Sequence, residues 1–179
     1  MANYVDNKKL YAEMKIFIYD ARACIAKEQP LPKINDYIGK CILDISNRRA
    51  MEHNFINYPF REEMVSDAIE NCIMYIKNFD PDKYTNPFAY FSQIVYYAFL
   101  RRIAKEKKQM YTKFKMMGSV DWNSGHGKSY TQDGVSDVDV VHKHTEWSQE
   151  YINTFIQNFE RSKAEKQEKQ QKKANELND

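Results

Sequence analysis

Apolar residues recur at steps of three and four along most of this chain, the spacing of helices with one face turned toward a core. Leu10, Met14, Phe17, Ala21 and Cys24 mark the first such face and predict a helix from about Asn7 to Lys27, ended by Pro30 and Pro32. Ile38, Ile42, Ile45 and Met51 mark a second, opening near Asp36, a good N-cap residue. A third helix is predicted from about Phe60 to Phe79. It turns Val65, Ala68, Ile69, Cys72, Ile76 and Phe79 inward and leaves Glu62, Glu63, Ser66, Asp67 and Glu70 outside.

Asp80-Pro81-Asp82 breaks that helix, and Asn86-Pro87 opens a fourth, with Asn86 as cap and Pro87 in the first helical position. At about 100° per residue, Phe88, Phe91, Val95, Phe99 and Ile103 gather on one side. Tyr90, Gln93, Tyr97, Arg101, Lys105 and Lys108 form a stripe on the other. Past Met117, Gly118, Ser119, Ser124, Gly125, Gly127, Gly134 and Ser136 predict a loop. A last helix from about Glu146 carries Tyr151, Phe155 and Phe159, then becomes a Lys/Glu/Gln run without an apolar stripe, expected as a solvated helix or a disordered tail. The predicted fold is all-α: a compact helical bundle over residues 1–117, a Gly/Ser/Asp-rich loop over 118–145, and a C-terminal helix with a polar, partly disordered extension over 146–179.

Composition agrees with that pattern. Five Gly and five Pro in 179 residues argue against a turn-rich β fold, and the length suits one hydrophobic core. The net charge of +2 says little, but its distribution says more. Arg101, Arg102, Lys105, Lys107, Lys108, Lys113 and Lys115 face a single acid, Glu106, making a local cationic patch. Cys24, Cys41 and Cys72 lie far apart inside apolar helical patterns, which fits reduced thiols rather than a disulfide framework. No apolar run reaches the roughly 20 residues needed to cross a bilayer and no secretory signal opens the chain, so an intracellular, non-membrane protein is expected.

The stripe on the fourth helix is the strongest chemical signal. Tyrosine rings stack on unpaired bases for about 1–3 kcal/mol per base, and cations beyond them hold phosphates of adjoining duplex. The same pattern also arises when Tyr90, Tyr96 and Tyr97 pack against neighbours and lysines merely solvate the surface. Other signals are weaker. Ser124-Gly125-His126-Gly127-Lys128-Ser129 ends like a phosphate loop, but Trp122 stands where that loop needs glycine, and no strand precedes it. His142 and His144, near Asp137 and Asp139, lack the further ligands of a metal site. No hydrolytic triad can be nominated, and neither metal nor other cofactor is expected.

From Glu63 to Lys108 the chain reads EMVSDAIENCIMYIKNFDPDKYTNPFAYFSQIVYYAFLRRIAKEKK. Its combination of EMxxDxIE, NFDxxKY, NPxAY and RIxKExK resembles the second conserved region of sigma-70-type transcription factors, and among them the late-transcription sigma factors of T-even-like bacteriophages. The likeness extends more weakly to NYVDNKKL at Asn3, to NDYIGKCI at Asn35, and forward to about Met116. The resemblance implies a non-enzymatic factor that binds the bacterial RNA polymerase core and melts a short AT-rich promoter element, in the cytoplasm of an infected host. It places Glu63, Ser66, Asp67, Glu70 and Ile73 against the clamp helices of the largest polymerase subunit. It places Tyr90 against a flipped base of the non-template strand, Gln93 in the melting wedge, and Tyr97, Leu100 and Arg101 at the upstream duplex edge. Arg102, Lys105 and Lys108 would grip phosphates.

Two departures limit what carries over. Housekeeping sigma factors have paired tryptophans in the wedge, where this chain has Gln93 and Ile94, so an easily melted, TATA-like element is implied. The phage late system also uses a co-activator and a sliding clamp, which its sigma reaches through a hydrophobic C-terminal peptide. Asn175-Glu176-Leu177-Asn178-Asp179 lacks the aromatic residues of that peptide, so both partners stay open and only Tyr151, Phe155 and Phe159 could substitute. Two rival functions remain: a polymerase-binding inhibitor or appropriation factor that keeps the docking helix, and an independent DNA-binding module.

Overall fold

The computed structural model describes residues 4–119 and 149–176. Among them the fold is all-α: α1 (Asn7–Ala26), α2 (Asp36–Ala50), α3 (Arg61–Tyr75) with a 3-10 turn at Ile76–Asn78, α4 (Pro87–Ser119) and α5 (Gln149–Glu176). No helix among the described residues is long and apolar enough to cross a membrane. The chain divides into two compact units, Met1–Lys105 and Glu106–Asp179. The division falls inside α4, upstream of the boundary that composition suggests near residue 117. The phosphate-loop-like segment, His142, His144, Asp137 and Asp139 lie outside the described residues.

Unit 1 begins with well-made helix ends. Asp6 caps α1 by accepting from the backbone N–H groups of Lys8 and Lys9 at 3.0 and 3.2 Å. Asn35, rather than the expected Asp36, caps α2 by accepting from Tyr37 N at 2.8 Å; Asp36 sits in the first turn, where its charge suits the helix dipole. The start of α4 is capped twice: Asn86 accepts from Ala89 N at 3.0 Å, and Asn7 of α1 accepts from Phe88 N at 3.1 Å. At the end of α1, Glu28 takes φ 56°, a left-handed conformation that favours glycine. It lets Gln29 N reach the Cys24 carbonyl at 2.9 Å.

α1 packs on α2 and α2 on α3. Their inward faces and that of α4 share one apolar core containing Leu10, Met14, Ile38, Ile42, Met64, Cys72, Phe91 and Phe99. Two expectations need correcting. Met51 is 58% exposed, because it stands six residues beyond Ile45, about 240° around the helix, and α2 ends at Ala50. On α3, Met64, Ala68 and Cys72 are the fully buried positions, whereas Val65 and Ile69 are half-buried, and the helix tightens into the 3-10 turn before reaching Phe79. Burial pushes the Cys72 thiol up to about 12, so it stays protonated. Cys24, Cys41 and Cys72 form no disulfide.

A polar network ties α1 to the turn before α4. Arg22 donates to Asp82 at 2.9 Å and to Asp80 at 3.0 Å, Tyr19 OH donates to Asp82 at 2.7 Å, and Tyr11 OH donates to the Pro81 carbonyl at 2.9 Å. The Tyr19 and Arg22 hydrogen bonds hold the Asp82 carboxyl below its ordinary range. At Asp80 burial works the other way, but the bonds from Arg22 and the Asp82 N–H outweigh it, and that carboxyl is also lowered. Carboxylates depressed in the folded state contribute stability above the ordinary range of about 3.9 and lose it as pH falls through their folded values. Arg22→Ala should therefore lower the melting temperature clearly at pH 6 and much less near pH 2.5. An equal loss at both pH values would contradict this account of the network.

Unit 2 contains the rest of α4 and α5. Phe114 is buried and meets Phe155 edge-on at 5.4 Å, while Tyr111 stacks on Phe159 at 4.4 Å with 19° between the rings. Glu160 accepts from Tyr111 OH at 2.9 Å and pairs with Lys115 at 2.8 Å. The late aromatic cluster thus serves first as packing for the end of α4. Beyond Glu160 the described side chains of α5 are all exposed.

Candidate nucleic-acid interface

The part of α4 in unit 1 is two-faced, as the stripe predicts. Phe91, Val95, Ala98, Phe99 and Ile103 are buried, while Gln93, Tyr97, Leu100, Arg101 and Lys105 are exposed. Tyr97 is 50% exposed and meets Tyr96 edge-on at 5.7 Å. Tyr96 in turn rests edge-on against Phe55 at 6.2 Å, with the Arg49 guanidinium 5.6 Å from its ring centroid. Tyr96 is thus engaged by its neighbours and braces Tyr97, whose half-exposed ring suits stacking.

Two grooves flank the N-terminal turns of α4. One, about 650 Å³, is lined by Tyr4, Arg49, Glu52, Phe88 and Tyr96. The other, about 560 Å³, is lined by Phe79, Lys83, Tyr84 and Tyr90. Asn86, Ala89 and Gln93 line both, so Gln93 stands on the ridge between them. Each has the size of clefts that take small ligands, about 300–1,000 Å³, and each offers aromatic rings with at least one cation nearby.

Tyr90 sits differently from the rest of the stripe. It lies on nearly the same helical angle as Tyr97, yet it is half-buried, with Phe79 at 5.3 Å and Phe91 at 5.5 Å. Its hydroxyl donates to the Tyr75 carbonyl at 2.7 Å. The 3-10 turn after α3 carries Phe79 up over the α4 surface, which periodicity within α4 cannot register. Burial, with Cys72 as a smaller cause, raises the Tyr90 phenol above its ordinary value. Tyr90 still lines the second groove.

The predicted docking acids divide. Glu63, Ser66, Glu70 and Ile73 are exposed along α3. Asp67 is half-buried and pairs with Arg102 at 3.3 Å, and one turn on Asn71 accepts from Arg101 at 2.8 Å. A residue expected to meet a polymerase and residues expected to meet phosphate thus hold α3 and α4 together. Lys105 projects to solvent in unit 1; Lys108, also exposed, belongs to unit 2.

Sequence periodicity misses the first groove altogether. Tyr4 precedes α1, whereas Arg49 and Glu52 are an ion pair at the end of α2, and nothing local in the sequence links either place to α4. No protein-family model matches this chain, and no curated protein matches it.

Proposed function

We propose that this chain is a sigma-type initiation factor of the kind used late in infection by T-even-like phages. It docks on the bacterial RNA polymerase core through the outer face of α3 and opens a short AT-rich promoter element along α4. It acts by binding, without catalysis, in the cytoplasm of the infected host. The motif combination from Glu63 to Lys108 is one support. The observation that carries the reading is the exposed run Gln93, Tyr97, Leu100 and Arg101, whose Gln93 divides two aromatic grooves. A strand separated at this ridge meets rings on both sides and a cation at Arg101.

In this reading Tyr97 is an open stacking platform, whereas the half-buried Tyr90 shapes the wall of a groove. Gln93 replaces bulk at the wedge with an amide that can hydrogen-bond a base edge, which suits an element whose TA steps unstack cheaply.

Run-off transcription with reconstituted core polymerase on a TATA-like late promoter tests the proposal. The expected result is a promoter-specific transcript only when this chain is added. Tyr97→Ala should lower permanganate reactivity in the bubble by roughly 5- to 150-fold, the equivalent of one lost stacking contact of about 1–3 kcal/mol, while leaving core binding intact. Absence of initiation together with tight core binding would favour the inhibitor or appropriation factor. Tight duplex binding with no polymerase binding would favour the independent DNA-binding module.

A further inference from the structure

The second half of α5 is a helix held by little except itself. Its Ala, Glu, Gln, Lys and Arg residues are strong helix formers, and Glu165 to Lys169 and Glu168 to Lys172 have the favourable four-residue spacing. At about 100° per residue, Lys163, Lys166, Lys169 and Lys173 fall within an arc of about 120°, and neither Glu165 nor Glu168 lies inside it. This arc continues the face that carries Tyr151, Phe155 and Phe159 earlier in the same helix. One face of α5 therefore changes from rings that pack on α4 to a row of exposed lysines. Lys166, Lys169 and Lys173 form no salt bridge among the described residues.

We propose that this lysine row is a second nucleic-acid contact, one that grips the phosphate backbone of duplex DNA without reading its sequence. The charge pattern selects the partner. A membrane-surface helix needs an apolar face to bury among acyl chains, and a helix seated in a protein groove needs apolar anchors at three- and four-residue steps. The Lys163–Lys173 stretch has neither, because all its described residues are exposed and its only small apolar side chain is Ala164. What charge alone can hold is a polyanion, and lysine serves phosphate as a point charge. A row about 15 Å long, from about 1.5 Å per residue, spans several phosphates of one strand. The initiation-factor reading is needed only for the choice of DNA as that polyanion.

The test uses the full-length chain, without polymerase, and a duplex of arbitrary sequence. The wild-type chain should bind with a Kd of about 10⁻⁴–10⁻⁶ M that weakens steeply with salt. Substituting Lys163, Lys166, Lys169 and Lys173 together by Gln should weaken binding tenfold or more at low salt. It should also flatten the log–log salt slope by about 3.6, four phosphates at about 0.9 each. A control variant with Lys8, Lys9, Lys27 and Lys33 changed to Gln removes the same net charge elsewhere and should change binding by less than threefold. Equal losses in the two variants, an unchanged salt slope, or tighter binding to anionic phospholipid vesicles than to DNA would each overturn the proposal. Circular dichroism establishes that the lysine variant stays helical. If it fails to, Lys163→Glu with Lys166→Glu, which keeps strong helix formers, must still lose affinity. Core-polymerase binding, measured separately, should be unaffected; if the wild-type chain fails to bind core, the initiation reading falls while the lysine-row result stands.

Discussion

Phe99→Ala should destabilise unit 1 by about 3–5 kcal/mol, the cost typical of emptying a buried phenylalanine site. Phe99 is completely buried and meets Phe55 edge-on at 5.1 Å with 82° between the rings, so its removal forfeits both transferred area and an aromatic contact. Against a total stability of about 5–15 kcal/mol for a domain, that loss is severe. It should appear as a large drop in the urea midpoint followed by far-UV circular dichroism, with m little changed. Tyr97→Ala, two positions earlier on the same helix, should shift the midpoint by the equivalent of about 0.5 kcal/mol or less. A Phe99→Ala loss below about 1 kcal/mol would mean that α4 is not the core helix described above.

That contrast is what the sequence made legible. α1 and α4 were readable because each buries a continuous stripe whose spacing is a property of the helix itself. The inward positions Leu10, Met14, Phe91, Val95 and Phe99 are all buried. α3 was readable as a helix but less so as a face: Met64 takes the fully buried place, and Val65 is only half-buried. α2 and α4 both meet α3, and the neighbours, not the period, decide which edge of a wide apolar arc is sealed. The unit boundary inside α4 was hidden for a similar reason. It depends on Phe114 and Tyr111 finding Phe155 and Phe159 across a long gap in sequence.

The candidate interface was legible where it lies on one helix and illegible where it is assembled. Gln93, Tyr97, Arg101 and Lys105 are exposed as the stripe requires, and so is Leu100, a position that only the resemblance singled out. Tyr90 departs because Phe79 covers it, and the Asp67–Arg102 pair arises because α3 and α4 lie side by side. A charged residue's availability is a tertiary property: the same carboxylate pattern on α3 leaves Glu63 and Glu70 open and engages Asp67.

This difference shapes the docking experiment. If α3 docks on core polymerase as proposed, Glu63→Lys with Glu70→Lys should reduce that binding more than roughly 100-fold and leave the melting temperature within about 2 °C of wild type. Both glutamates are exposed and make no salt bridge among the described residues, so reversing them should cost little in the free protein. Against a basic docking surface, each reversal replaces attraction by like-charge contact, which costs several kcal/mol. Asp67→Lys does not test the same thing, because the new ammonium would face Arg102 where a carboxylate now sits at 3.3 Å. It should lower stability as well as docking, since a half-buried Arg102 would meet an ammonium in place of the Asp67 carboxylate. The cleaner probe there is Asp67→Asn, which keeps the shape of the side chain. The two outcomes should separate: the Glu63/Glu70 reversal removes core binding with stability intact, and Asp67→Lys loses both. Unchanged core binding in the Glu63/Glu70 variant, measured by co-purification and calorimetry, would remove α3 from the docking role and with it the main support for a polymerase partner.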